Sequence, residues 1–313
     1  MIKLSVASRQ TCLMCKWLKS IARPAILSAL LLATLPGCSM LRIGYEQLDT
    51  FAVWTADEYF DLEQPQRREF LRRFDRLHEW HRYEQLPEYV AFLVAIRTRV
   101  EKGFTREDYL WVAEGVRKRY RVVVNHATDD IAAMLMTVTP AQLESLQRQW
   151  DKVNRRYLRE YRLEDAAEEQ RQARARRLVA RIREWVGSLS DEQEARIVAM
   201  LNASEMPLAF YRLRLEDRQR RQREFLRLMA QRGDPQQFTA RLRHWLLNWE
   251  EGRLSEFDHL FRAWEHKQAD IYAALDRTLT PQQRAAAAER LQGFADDFTH
   301  LAQRPAPPAA ADR

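Results

Sequence analysis

Apolar residues recur along most of this chain at steps of three and four, the period of an amphipathic helix. Over residues 65–85, Phe70, Phe74, Leu77 and His81 fall on one face, flanked by Leu71 and Trp80. A second helix is predicted from Pro87, a residue suited to a first helical turn, with Val90, Leu93, Ile96 and Val100 facing inward and Gly103 as its stop. Thr105 with Asp108 three residues later is a capping signal for a third helix running towards Leu135. Val138-Thr139-Pro140-Ala141-Gln142 repeats the signal, and no Pro or Gly interrupts the chain from there until Gly187. The pattern predicts one very long helix over about 140–186, roughly 70 Å if straight. The stretch from Glu164 to Arg177 has no large apolar residue. It is either the solvent-exposed middle of that helix or a break in it.

The same grammar marks later starts. Leu189-Ser190-Asp191-Glu192-Gln193 and Leu279-Thr280-Pro281-Gln282-Gln283 match the box at Val138, and Asp234-Pro235-Gln236-Gln237 is a variant. Gly187 and Gly252 each read as a helix stop followed by a serine N-cap, giving short links and antiparallel hairpins. The boxes have no fixed spacing, so a solenoid is not supported. The expected fold is all-α: an elongated bundle of about ten helices spanning 45–303, readable as two sub-bundles joined by the long helix. The tail over 304–313 (RPAPPAAADR) is too rich in proline to extend a helix and is expected to be disordered. Eight glycines in 313 residues argue against a many-stranded β fold and leave no glycine-rich phosphate loop.

The first 37 residues follow another pattern. Lys16, Lys19 and Arg23 precede an apolar run from Ala25 to Leu35. Eleven residues are too few to cross a bilayer, which takes about 20, but suit the apolar core of a secretion signal. Leu35-Pro36-Gly37-Cys38-Ser39 follows. It resembles the lipobox of bacterial lipoproteins, and the resemblance implies cleavage before Cys38 and acylation at that residue. Residues 1–37 then form a signal peptide and 38–44 a lipidated tether, with Met14 an alternative start. In such lipoproteins an Asp after the Cys favours the inner membrane. Ser39 stands here, which points to the outer membrane. Cys12 and Cys15 lie upstream of the cut, so their C-x-x-C spacing would be lost and Cys38 would be the remaining sulfur of the three cysteines.

Charge changes the picture once located. Five of the seven net positive charges come from residues 1–37, which carry no acid. The remainder is nearly balanced, and a nucleic-acid partner loses its support. Two arginine-dense stretches, 171–183 and 212–223, could hold anionic headgroups or cell-wall polymers, or pair with neighbouring acids. The aromatic residues over 235–301, from Phe238 through Trp245, Trp249, Phe257 and Phe261 to Phe298, read as core or as a surface for apolar clients. His78 with His81, and His259 with His266, lack the i, i+4 zinc spacing and a third ligand. No metal or cofactor is expected. No G-x-S-x-G, H-E-x-x-H or cysteine nucleophile supports catalysis.

Gly44-Tyr45-Glu46-Gln47-Leu48, Tyr59-Phe60-Asp61-Leu62 and Trp80-His81-Arg82-Tyr83-Glu84-Gln85-Leu86-Pro87-Glu88-Tyr89 resemble an uncharacterised family of proteobacterial predicted lipoproteins. The L-T-P-x-Q box also resembles a motif of Spy/CpxP-type periplasmic chaperones, over five residues. The expected function is non-enzymatic: a lipoprotein anchored to the membrane through Cys38, facing the periplasm and binding or scaffolding an envelope protein or cell-wall component. The candidate surface is Trp80, His81, Glu84, Pro87 and Tyr89, at a helix–proline–helix corner. Alternatives are a chaperone-like binder of unfolded clients and, behind it, a cell-wall hydrolase.

Overall fold

The computed structural model describes residues 40–203 and 209–305. The lipobox residues Leu35, Pro36, Gly37 and Cys38, the upstream cysteines and most of the proline-rich tail lie outside the described residues. The chain divides into two units, Met1–Tyr45 and Glu46–Arg313. Described residues of the first unit begin α1 (Met40–Glu46), where Met40 and Ile43 are exposed.

The described residues of the second unit form helices and the links between them, with no strand among them. Its helices are α2 (Leu48–Phe60), α3 (Gln64–Trp80), α4 (Leu86–Lys102), α5 (Arg106–Met136), α6 (Pro140–Glu160), α7 (Ala167–Val186), α8 (Asp191–Asn202), α9 (Ala209–Ala230), α10 (Pro235–Leu247), α11 (Ser255–Asp276) and α12 (Pro281–Gln303). The expected all-α bundle is therefore the fold. Helix α12 lies along α4, α5 packs on α10 and α11, and α2 sits on α3 and α6. One core joins Leu178, Ile182, Ile197, Ile271 and Leu275 of α7, α8 and α11. Another joins Leu135, Leu146, Phe225, Phe238 and Leu242 of α5, α6, α9 and α10. Gly115 is required where α5 meets α4, because a Cβ there would lie 2.4 Å from the Phe92 ring.

The expected long helix over 140–186 is two helices. Helix α6 stops at Glu160, and the chain turns before α7 begins at Ala167. The stop is a Schellman motif. The Leu163 N–H bonds the Leu158 carbonyl at 3.0 Å and the Arg162 N–H bonds the Arg159 carbonyl at 3.1 Å. Arg162 takes the left-handed conformation, φ 53°, usually given to glycine. Leu163 then folds back, buried, against Tyr157 and Leu215. Arginine in the glycine position hides this stop from a reading based on Gly and Pro. The compensation is electrostatic, since Arg162 pairs with Asp165 and, at 3.1 Å, with Glu169.

Two smaller expectations are also corrected. Ser255 is the first residue of α11 and not its cap, which is Leu254 without a side-chain bond. No residue of α3 is fully buried. Phe70, Phe74 and Leu77 instead line a cavity of about 170 Å³ with Phe60, Ile131 and Met134, closed at its edge by the Arg73–Asp130 ion pair.

The capping boxes do more than start helices: they pair. Gln193 donates to the Thr278 carbonyl at 2.9 Å, and Gln283 donates to the Ser188 carbonyl at 2.7 Å. The two amides also bond each other, 2.9 Å both ways. Each glutamine thus closes its own box and reaches the carbonyl two residues before the partner helix's N-cap. Gln142 and Gln66 repeat the arrangement, reaching the Asp61 and Thr137 carbonyls and bonding each other. The box at α3 uses Glu63 as its cap, outside the hydroxyl pattern, and so escapes a motif search. The clamps tie α8 to α12 and α3 to α6. The L-T-P-x-Q motif is accounted for by this capping chemistry.

Candidate functional site

The structure replaces the expected corner at Trp80–Tyr89 with one turn of π-helix, His81–Gln85, joining α3 directly to α4. The Leu86 N–H bonds the His81 carbonyl, five residues back. Proline supplies the cause. In an unbroken α-helix the Pro87 ring would press on the Tyr83 carbonyl, and Pro87 has no N–H to give it. Widening the turn by one residue relieves the clash.

The candidate side chains divide between two sides of this turn. Trp80 donates to Glu84 at 3.0 Å and stacks on His126 of α5, ring centres 3.7 Å apart. His81 meets Tyr89 edge-on at 5.2 Å, and Tyr89 in turn meets Phe298 of α12. Glu84 and Pro87 are exposed, while Arg82, buried beneath, pairs with Glu46 at 3.3 Å. The five residues therefore do not converge on one site; most of them pack the turn between α5 and α12. Burial, and then the neighbouring His78, pushes the His81 imidazole down to about 4, and His78 is lowered as well, first by burial. Burial thus favours the neutral form of both rings. Between the ordinary value of 6.5 and about 4 the unfolded chain binds a proton at His81 that the folded chain refuses. Stability is therefore full above that window and falls as pH drops through it. His81→Phe should flatten the loss of urea-unfolding free energy between pH 7 and pH 4.5 (about those values); an unchanged slope would show that His81 is not its source.

A larger cleft, of about 600 Å³, lies between α6, α9 and α11. The arginine-dense stretch and the aromatic stripe, separate in sequence, meet here. Arg214, Arg218 and Arg221 recur at four and three residues, so one face of α9 presents all three. Trp245, Trp249, Phe257 and Phe261 form the opposing wall, with Trp150 and Val153 of α6 at the side. Phe257 belongs to the core as expected, whereas Trp245, Trp249 and Phe261 are half-buried. Guanidinium groups lie on rings: Arg221 over Trp245 at 4.2 Å, Arg253 over Trp249 at 4.3 Å and over Phe261 at 4.5 Å.

Donors outnumber acceptors in this cleft. The Arg253 side chain is 2% exposed, and its carboxylate neighbours Asp258, Asp217 and Glu250 stand at 3.6, 3.7 and 3.9 Å. Its Nε and Nη1 have no hydrogen-bond partner, and neither does the Trp245 indole N–H. Asp217, the one acid of the lining, is taken by Arg220 at 2.8 Å. Burial lowers the Arg253 and Arg221 guanidiniums from their usual range, chiefly by desolvation; both remain cations at neutral pH. The arrangement can hold an acceptor-rich anion against flat apolar walls.

Among the described residues no three His, Cys, Asp or Glu side chains converge to hold a metal ion, and no helix is long and apolar enough to cross a membrane. No curated protein and no solved structure matches the chain. One family profile does, over residues 58–256. That span contains Trp80–Tyr89 and the whole cleft except Phe257 and Phe261 at the start of α11, and it leaves out Cys38. It covers more than half of the sequence, and the chain belongs to this family of unknown function, DUF6279.

Proposed function

We propose that this protein is a lipid-anchored component of the bacterial envelope that works by binding and not by catalysis, and that the Arg–Trp cleft is its binding site. The anchor is Cys38 of the lipobox, and Ser39 favours the outer membrane with the helical unit facing the periplasm. The observation that carries the binding reading is the surplus of donors in a cleft walled by aromatic rings. A bound ligand that supplies acceptors satisfies Arg253 and Trp245, and one with flat ring faces covers Trp249 and Phe261. A negatively charged saccharide of the envelope has both properties.

The test is a titration of the purified chain with a sulfated disaccharide and with inorganic pyrophosphate, followed by tryptophan fluorescence. Arg218→Ala should weaken binding about ten-fold, the scale of one charge-assisted hydrogen bond. Arg223→Ala, an exposed arginine of α9 outside the cleft lining, should leave it unchanged. Equal losses for the two variants would reduce the effect to net charge and remove the site.

A further inference from the structure

We infer that the N-terminal half of α2 lies in the headgroup layer of the membrane, with Phe51 and Trp54 inserted at the interface. This inference rests on the anchor at Cys38. Helix α2 reads LDTFAVWTADEYF, predominantly apolar, yet none of its residues is fully buried. Phe51 is 54% exposed and Trp54 63% exposed. They stand three residues apart, so they share one face of the helix.

The surroundings of that face give its orientation. The exposed positions from Gln47 to Thr55 are Gln47, Thr50, Phe51, Trp54 and Thr55, all uncharged. Asp49, lying between them, is half-buried, its carboxylate accepting from the Thr50 N–H at 2.7 Å, and fully exposed charge begins at Glu58. The C-terminal half of α2 is committed to the bundle: Asp57 pairs with Arg67 at 2.6 Å, and Glu58 accepts from Gln149 of α6 at 2.6 Å. One end of the helix is thus fixed to protein, while the other presents an apolar, uncharged strip to solvent. Tryptophan and phenylalanine beside small polar residues are the composition of an interfacial segment.

The position of the anchor selects the occupant. Cys38 precedes Phe51 by thirteen residues, seven of which form α1. The chain between them spans at most about 30 Å, whatever the orientation of α1, from two extended links and helical rise. A lipidated Cys38 therefore confines the strip to the vicinity of a bilayer. In the first unit, Met40 and Ile43 are likewise exposed close to the anchor. A large exposed apolar surface marks an interaction site, and here the surface available to it at all times is lipid.

The lipidated full-length chain supplies its own test. With residues 1–37 removed and Cys38 a thioether, Trp54→Cys carries the one free thiol, which takes a nitroxide label. In vesicles of phosphatidylethanolamine and phosphatidylglycerol, the label should be about five-fold less accessible to a nickel chelate than one at exposed Arg176 (Arg176→Cys), and more accessible to oxygen, as an interfacial depth requires. Equal nickel accessibility at both positions overturns the inference. So does spin–spin broadening at position 54 that disappears on dilution with unlabelled chain, which would assign the strip to a second copy. Mass spectrometry of the same sample separates the two levels. A lipidated chain with an open position 54 loses this inference alone, whereas an unmodified Cys38 removes the anchor and the inference together.

Discussion

Gln193→Leu should lower the free energy of unfolding by about 3 kcal/mol, against well under 1 kcal/mol for Gln237→Leu. Both glutamines occupy the same third position of a capping signal, so local helix propensity does not separate them. Their connections do. Gln237 is exposed and contributes its backbone N–H to Asp234 at 2.7 Å. Gln193 is 7% exposed; it accepts from the Ser190 N–H, donates to the Thr278 carbonyl and bonds Gln283. Leucine keeps the bulk and removes each of these bonds. The carbonyl of Thr278 and the amide of Gln283, both half-buried, are then left short of partners; such groups cost about 1–3 kcal/mol each, at the lower end where water reaches them. Gln283→Leu should cost a similar amount. The double variant should cost less than the sum by about 1–2 kcal/mol, because the Gln–Gln pair is lost once. Denaturant unfolding of the wild type and the four variants measures all three quantities. Equal effects at Gln193 and Gln237 would mean that the clamp between α8 and α12 does not form.

The clamps also mark how far the sequence could be read. Every local signal in the boxes at Thr139, Ser190 and Thr280 was legible, because cap and third residue are close in sequence and their chemistry is fixed. Their pairing was not, because Gln193 and Gln283 meet across 90 positions and Gln66 and Gln142 across 76, and nothing in either box names its partner. The break at Arg162 was hidden for the opposite reason. A signal existed in the apolar gap after Glu164, but the residue in the left-handed position is not glycine. At Trp80–Tyr89 the proline was visible and its consequence was not: a wider helical turn relieves the same clash as a bend. The cleft follows the logic of the clamps. Arg218 and Arg221 and the stripe from Trp245 to Phe261 are each legible on their own, as a charged face and as core or an apolar surface. Their meeting depends on how α9 and α11 pack, which periodicity does not specify. The proposed anchor at Cys38 is the reverse case, because a lipobox is read by enzymes as a linear motif, whereas the exposure of Phe51 and Trp54 is visible in the packing and not in the sequence.

Cys38→Ser, placed behind a leader that is cleaved without lipidation, should transfer nearly all of the protein from the membrane fraction to the soluble periplasmic fraction. The size of the effect follows from the chemistry of the anchor. Each buried methylene contributes about 0.8 kcal/mol, and one acyl chain of fourteen carbons binds only marginally, with an association constant near 10⁴ M⁻¹. A diacylglycerol thioether with an acylated amine buries several chains at once, which makes dissociation negligible on the time scale of a fractionation. Serine at position 38 removes all of them together. No helix among the described residues is long and apolar enough to cross a membrane in their place. Phe51 and Trp54 remain, but two aromatic side chains hold a chain at an interface weakly and reversibly. They should appear as partial co-sedimentation with added vesicles, reduced by Trp54→Ser, and not as retention in a washed membrane pellet. A Cys38→Ser chain that stays in the washed pellet would place the attachment elsewhere in the protein and withdraw the lipobox reading. A chain that leaves the pellet yet binds vesicles equally well with and without Trp54 would keep the anchor and withdraw the interfacial strip.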